Sequence, residues 1–297
     1  MKLALQINNY IWDGGPTNLG ATLTKIARTT DAYGFSSIAV ADHLWAVPPW
    51  MGPQEGQVPE CYTTLTFLAA STQRIELMAL ATPPHFRHPA MLAKIVSTLD
   101  VLSGGRTWLG IGAGDYVDEA QGLGIPFPPI AERFEMLEET VQICLQMWSG
   151  EHGDDQPYRG KHFHIERALN SPQMPHRPQR PHPPIMIAGS GEQKTLRLVA
   201  RYADACNIQP GPEIPKKLDV LRRHCEIEGR DYNSIEKTCP FLFDVGEDGS
   251  KVKELIGQLH WLAGMGIQTV YGAIPHVERI APLEVIGREV MAAVADL

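Results

Sequence analysis

Cysteine and long apolar runs are both scarce in this chain of 297 residues. The five cysteines are odd in number and scattered, and no two of them form a CxxC pair. That pattern argues against a disulfide framework and a structural zinc site, and it fits a reducing cytosol. No stretch of about 20 apolar residues is present, so the sequence predicts no membrane-spanning helix. The first residues turn polar soon after Ile7, too early for a secretory signal. We therefore expect a cytoplasmic protein.

Positive charge is also in short supply. The net charge is −8 at pH 7, and no run of lysines or arginines occurs. We therefore expect neither nucleic acid nor an anionic membrane as a partner, although a few local donors are still able to hold a small anionic molecule. The hydrophobic content of 43% and the charged content of 20% are ordinary for a soluble globular protein.

The chain does contain an alternation of strand-like and helix-like segments that repeats about eight times. Strands that alternate with helices over roughly 250–300 residues suit a closed parallel barrel. The predicted strands are residues 2–7, 36–40, 75–80, 107–111, 184–188, 204–209, 236–245 and 268–271. The predicted helices are residues 18–33, 62–71, 88–102, 131–148, 191–202, 215–229, 250–264 and 279–296. An open doubly wound sheet is the rival architecture. No GxGxxG follows the first strand, so we predict an α/β fold, a single (β/α)8 TIM barrel over residues 1–297.

Residues 150–183 interrupt this rhythm. They hold six prolines and five histidines but few apolar side chains, which predicts a surface insertion. His162 and His164 alternate there as on a strand. No third ligand accompanies them, so we predict no metal site.

Active sites of such barrels lie at the carboxyl ends of the strands. Asp42 and His43 end the second predicted strand and combine an acceptor with a group that titrates near neutral pH. The alternative is that His43 bonds a backbone carbonyl and only shapes the loop. Residues 112–115 (GAGD) end the fourth strand, where glycines let a flat ring approach the backbone and Asp115 projects over the same mouth. A plain turn packed by small residues is the alternative.

Two further strand ends carry candidate binding residues. Residues 79–87 (ALATPPHFR) offer small apolar side chains to back a planar cofactor, with His85 and Arg87 as candidate substrate ligands. A surface acid is the alternative partner for Arg87. Residues 189–191 (GSG) precede a predicted helix, whose free N–H groups and dipole bind a phosphate or a polar ring edge. An N-cap role for Ser190 is the alternative.

Together these motifs resemble the luciferase-like monooxygenase superfamily, and more closely its deazaflavin-dependent branch, which uses coenzyme F420. The resemblance covers nearly the whole chain. It rests on residues 40–43 (VADH), 86–94 (FRHPAMLAK), 98–106 (TLDVLSGGR), 109–114 (LGIGAG), 123–128 (LGIPFP), 131–134 (AERF) and 187–192 (IAGSGE). Each segment is modestly specific, but their occurrence in this order is highly specific for the superfamily.

The resemblance implies a cofactor that lies across the carboxyl-end mouth of the barrel. Asp42 would contact the deazaflavin ring. Leu80 and Ala81 would form a bulge behind it, which in the family often includes a cis peptide that does not precede proline. Lys216 and Arg279 would bind the cofactor's phosphate. The residues predicted to bind the cofactor are Asp42, Leu80, Ala81, Ala113, Gly114, Gly189, Ser190, Gly191, Lys216 and Arg279.

The same resemblance implies two catalytic residues. His43 would lie near the reactive ring carbon and the substrate. Asp115 holds the position where sugar-phosphate dehydrogenases of this branch have a glutamate that acts in proton transfer. Their tryptophan has only loose counterparts here, Trp45 or Trp50. A glucose-phosphate substrate is therefore not supported.

The leading hypothesis is an F420-dependent oxidoreductase that moves a hydride between C5 of the deazaflavin and an organic small molecule. His43, with Asp115, would carry the accompanying proton, while the hydride chemistry belongs to the cofactor. The alternative is an FMN-dependent monooxygenase that uses reduced flavin and oxygen. A third hypothesis is a non-catalytic barrel that binds the cofactor or a carrier protein. The resemblance also implies a homodimer.

Overall fold

Eight parallel strands close into a barrel in the computed structural model, which describes residues 1–175, 179–246 and 248–297. The barrel strands are β1 (Lys2–Ile7), β2 (Ser37–Val40), β3 (Glu76–Ala79), β4 (Thr107–Ile111), β7 (Ile185–Ala188), β8 (Ala205–Asn207), β9 (Glu236–Leu242) and β10 (Thr269–Ala273). Around the barrel their order is β1, β10, β9, β8, β7, β4, β3 and β2. The predicted (β/α)8 TIM barrel is confirmed.

Helices surround the strands. They are α1 (Gly15–Tyr33), α2 (Cys61–Ser71), α3 (Pro89–Ser103), α4 (Val117–Gly122), α5 (Ile130–Met147), α6 (Thr195–Tyr202), α7 (Ile214–Glu228), α8 (Val252–Gly264), α9 (Ala281–Val285) and α10 (Met291–Val294). Alternate residues of a barrel strand face inward and outward. The main apolar core lies where the outward side chains meet the helices, and a smaller cluster that includes Ala4, Met78 and Tyr271 fills the interior.

Glycine follows two of the longer helices. Gly34 follows α1 with a φ of 81°, and Gly104 follows α3 with a φ of 73°. A backbone with positive φ suits glycine because it has no Cβ, and its N–H then donates to the last helical carbonyls. Pro240 lies inside β9, but the pairing of β9 with β8 ends at Thr238, so the missing N–H leaves no gap in that ladder.

Several predicted elements have other bounds in the structure, three of them as follows. The helix predicted over 191–202 begins only at Thr195, and the strand predicted over 204–209 is limited to Ala205–Asn207. The final helix predicted over 279–296 is broken into a 3₁₀ turn, α9, a π turn (Ile286–Val290) and α10. Ile280, with a φ of 68°, interrupts it, and Pro282 lies in the first turn of α9, where its missing N–H is tolerated.

The predicted insertion at 150–183 lies between α5 and β7. It adds a small antiparallel hairpin, β5 (Tyr158–Arg159) and β6 (His164–Ile165), which Glu139 of α5 anchors by accepting backbone N–H groups of residues 161–163. Positions 176–178 of this insertion lie outside the described residues. Within the described ranges, none of the helices combines the length and the apolar character needed to cross a membrane.

Candidate active site

A cavity of about 360 Å³ opens at the carboxyl end of the barrel. Ligand pockets commonly have volumes of about 300–1,000 Å³, so this one has room for a small molecule. Its wall includes these residues that were predicted from sequence: Asp42, His43, Leu80, Ala81, His85, Ala113, Gly114, Asp115 and Gly189. The loops after β2, β3, β4 and β7 thus meet at one hollow, as the sequence predicts.

Four of the residues predicted to bind the cofactor lie outside the cavity wall. The hydroxyl of Ser190 accepts the N–H of Gln209 (2.9 Å), and the neighbouring Gly191 is exposed. Lys216 extends into solvent and pairs with Glu192 and Glu213, at 3.6 Å each.

Arg279, the fourth of these residues, lies in a 3₁₀ turn with 62% of its side chain exposed. Burying a charged head group is unfavourable, whereas a long side chain keeps that group hydrated at the surface. Both cations therefore stay in water rather than turn into the barrel.

One wall of the cavity is lined by small apolar residues. The peptide between Leu80 and Ala81 is cis, the feature that the resemblance implies for this bulge. Gly114 closes the neighbouring loop with a φ of 75°, and a Cβ there would lie 2.8 Å from the Cε1 atom of His85. Only glycine therefore fits this turn with His85 packed against it. A wall without long side chains suits a planar ring.

Both carboxylate oxygens of Asp42 accept hydrogen bonds from neighbouring side chains. Arg87 donates to both of its oxygens, at 2.5 and 3.0 Å, and the Thr82 hydroxyl adds a bond of 2.8 Å. Arg87 also donates to Glu60 (2.6 Å). Burial lowers the pKa of Arg87, but the charge of Asp42 outweighs it and raises the pKa overall. Arg87 is therefore not a free substrate ligand, because it holds the buried Asp42 in place and also pairs with the partly exposed Glu60.

His43 contacts a buried carboxylate and also lines the cavity. Its Nδ1 lies 3.0 Å from Oε2 of Glu119, while the side chain keeps 25% of its surface exposed where it lines the cavity. The other Glu119 oxygen accepts the backbone N–H groups of Leu44 and of Trp45, the latter at 2.8 Å. The interpretation of His43 as bonded only to a carbonyl is therefore wrong.

Glu119 was missed by sequence reasoning. It lies on α4, a helix of six residues that is too short to show a hydrophobic period, and its side chain is 1% exposed. Burial raises the pKa of its carboxyl, but the hydrogen bonds from His43 and two backbone N–H groups outweigh this, so the pKa lies below its usual value. Glu119 is therefore an ionised acceptor at neutral pH.

Other residues of the site take different roles. Asp115 is exposed at the mouth, and Trp45 packs on Gly122, where a Cβ would lie 2.1 Å from its ring. Both ring nitrogens of His85 are shielded from solvent and have no hydrogen-bond partner in the described ranges. Burial and the charge of Arg133 lower the pKa of His85 to about 4, so its ring is neutral at pH 7.

The candidate metal ligands do not form a cluster. Over residues 1–175, 179–246 and 248–297, no three His, Cys, Asp or Glu side chains come together in a way that could hold a metal ion. His162 instead makes a hydrogen bond of 2.8 Å with Glu135. All five cysteines are buried and free, and Cys144 and Cys206 lie in the core.

Comparison with known proteins identifies the family. The model of the luciferase-like monooxygenase family matches residues 5–294. The chain belongs to this family. Its curated relatives include an F420-dependent glucose-6-phosphate dehydrogenase of Kineococcus radiotolerans, 30% identical over 78% of this chain and 66% of that protein. An F420-dependent hydroxymycolic acid dehydrogenase of Mycobacterium tuberculosis is 30% identical over 76% of this chain and 59% of its own length. The chain thus spans less than two thirds of these relatives.

Solved structures of luciferase-like proteins share the fold at low identity. An F420-dependent secondary alcohol dehydrogenase in complex with an F420–acetone adduct matches with a TM-score of 0.78 at 18% identity, over 99% of both chains. The F420-dependent tetrahydromethanopterin reductase of Methanopyrus kandleri matches with a TM-score of 0.74 at 18% identity, over 98% of both chains. At this identity the likeness supports the shared barrel alone.

Proposed function

We propose that this luciferase-like protein is an F420-dependent oxidoreductase that acts on an uncharged hydroxyl or carbonyl compound. Curated relatives from several organisms are named F420-dependent dehydrogenases, which supports the cofactor. The observation that carries the proposal is His43, whose ring borders the cavity while Glu119 holds its far nitrogen. That arrangement supplies a proton carrier beside a wall suited to a planar ring.

The residues of the cavity fit a deazaflavin. Leu80, Ala81 and Ala113 would hold the ring on a surface free of long side chains, and Gly189 would let the cofactor's chain leave the cavity. Lys194 lies 5.4 Å above the ring of Phe134, which lines the cavity. We assign the cofactor's anionic chain to this side, near the start of α6, because cations and helix N-termini bind phosphate.

The proton and the hydride follow separate paths. When bound, the deazaflavin supplies a two-electron hydride acceptor or donor at C5. In the oxidative direction, Nε2 of His43 takes the proton of the substrate hydroxyl. The carbon that bears this hydroxyl gives up its hydride and becomes a carbonyl carbon. In the reductive direction, His43 returns that proton to the new hydroxyl oxygen. Asp115, at the exposed mouth, is the second candidate for proton transfer.

The charges of the wall favour an uncharged substrate. Among the described residues that line the cavity, Asp42, Asp115 and Glu119 carry carboxylates and none is lysine or arginine. The nearby Arg87 is paired with acids, and Arg133 donates to three backbone carbonyls. A sugar phosphate would therefore meet the exposed carboxylate of Asp115 and no free guanidinium among the described lining residues, whereas phosphate recognition commonly uses a guanidinium.

A titration of the purified protein with F420 and with FMN tests the cofactor. We expect F420 fluorescence to be quenched on binding and FMN to bind weakly. FMN binding without F420 binding, together with oxygen consumption by reduced FMN, would support the monooxygenase alternative instead.

A second assay tests the substrate class. F420 reduction is measured with a series of secondary alcohols and with glucose 6-phosphate. We expect turnover with an alcohol and none with the phosphate. Turnover of the phosphate by a protein that binds F420 would refute the substrate class and leave the cofactor assignment intact.

A further inference from the structure

The buried carboxylate of Glu119 makes two kinds of contact at once. Oε1 accepts the backbone N–H groups of Leu44 and Trp45, and Oε2 faces Nδ1 of His43. Neither carboxylate oxygen reaches solvent to any extent, because the side chain is 1% exposed. The acid is therefore fixed by the loop that carries His43, and it cannot swing away from the imidazole.

This arrangement determines which ring nitrogen of His43 carries hydrogen. An ionised carboxylate only accepts hydrogen bonds, so the nitrogen against it must be the donor. Nδ1 of His43 therefore carries the proton of the neutral ring, and Nε2 holds the lone pair. Nε2 makes no hydrogen bond to the described parts of the chain, and His43 lines the cavity. The basic nitrogen is the one available to a ligand.

We infer that Glu119 is the positioning residue that fixes His43 in the tautomer whose Nε2 accepts the substrate proton. The inference rests on the proposed function, which assigns His43 as proton carrier. A merely structural Glu119 would hold residues 44 and 45 without any effect on the tautomer. The two roles can be separated, because each uses a different oxygen of the carboxylate.

The substitution Glu119→Gln separates them. The oxygen of the new amide can keep the N–H groups of Leu44 and Trp45, which places the amide NH₂ group against Nδ1 of His43. Nδ1 must then accept, and the ring hydrogen moves to Nε2. In a serine protease, the corresponding loss of the correct tautomer lowers kcat about 10⁴-fold. We expect turnover with the alcohol to fall roughly 10²- to 10⁴-fold, with F420 affinity and melting temperature close to those of the wild type.

Nitrogen NMR reads the tautomer without cofactor or substrate. In ¹⁵N-histidine-labelled wild-type protein, at a pH where the ring is neutral, we expect a protonated Nδ1 and an unprotonated Nε2 for His43. In Glu119→Gln the two assignments should exchange. A wild-type spectrum with hydrogen on Nε2 would overturn the inference even if the variant failed to fold.

A matched control uses another histidine–glutamate hydrogen bond. His162 and Glu135 lie 2.8 Å apart outside the cavity wall, with the carboxylate 45% exposed. Glu135→Gln should leave turnover unchanged. An equal rate for wild type and Glu119→Gln with exchanged tautomers would reject the positioning role while leaving the cofactor assignment, tested by titration, untouched.

Discussion

Two histidine–glutamate hydrogen bonds in the described part of the chain have nearly the same length but differ in the exposure of the carboxylate. His43 and Glu119 lie 3.0 Å apart with the carboxylate 1% exposed, whereas His162 and Glu135 lie 2.8 Å apart with the carboxylate 45% exposed. The buried pair uses Nδ1 and leaves Nε2 to the cavity. The other pair uses Nε2 and shares its carboxylate with Lys161. Burial of the carboxylate and the choice of ring nitrogen, rather than contact distance, distinguish the candidate catalytic histidine from the other pair.

Removing each imidazole in turn should produce the largest difference between the two pairs. His43→Asn should lower the rate of F420 reduction about 10²- to 10⁴-fold, because general acid–base catalysis contributes about that much. His162→Asn should leave the rate unchanged. Steady-state assays with saturating F420 measure both, and an intact rate for His43→Asn would place the proton transfer elsewhere, with Asp115 as the next candidate.

The same contrast of settings extends to two arginine–carboxylate pairs. Asp42→Ala leaves the part-buried guanidinium of Arg87 with Glu60 as its remaining acidic partner, so the loss in the free energy of unfolding should approach, but not exceed, the roughly 3–5 kcal/mol of a broken buried pair. Glu166→Ala removes an exposed bidentate partner of Arg159 and should produce no resolvable change. Urea unfolding of both variants compares them. Equal losses in the free energy of unfolding would mean that burial does not determine how much these pairs stabilise the fold.

Truncating each of the two glutamates compares their contributions to the free energy of unfolding. Glu119→Ala leaves the buried N–H groups of Leu44 and Trp45 without an acceptor, which costs about 1–3 kcal/mol for each group that water does not reach. Glu135→Ala affects an exposed side chain and should leave the free energy of unfolding within error of the wild type. Urea titrations provide the values, and an unaffected Glu119→Ala would show that water replaces the carboxylate.

The smallest expected effect concerns the pH dependence of stability. Burial and the charge of Arg133 lower the pKa of His85 to about 4 in the folded protein, from its ordinary value of 6.5. Between these values the unfolded chain binds more protons, so His85 lowers stability as the pH falls from about 6.5 to 4. His85→Gln should flatten the fall of melting temperature over that range. An unchanged slope would show that the ring is solvated.

Parts of this molecule followed from the sequence because they rest on local patterns. Alternating apolar segments predicted all eight barrel strands. The meeting of residues 42, 80 and 114 at one cavity followed from barrel geometry, which gathers strand ends at one face.

The remaining parts depend on contacts between residues that are far apart in the chain. Asp42 and Arg87 are 45 positions apart, and His43 and Glu119 are 76 apart. No local spacing pairs such residues, and both acids are buried only because loops from separate strands fold over them. Lys216 and Arg279 were placed at the cofactor by loose resemblance alone, and solvation keeps both side chains outside the cavity wall.

A crystal structure of the complex with F420 tests the account most directly. It should place the deazaflavin ring in the cavity against Leu80 and Ala81, with Nε2 of His43 directed at the space beside the ring. A cofactor held only at the surface by Lys216 and Arg279, or a His43 ring turned with Nδ1 toward the cavity, would contradict it.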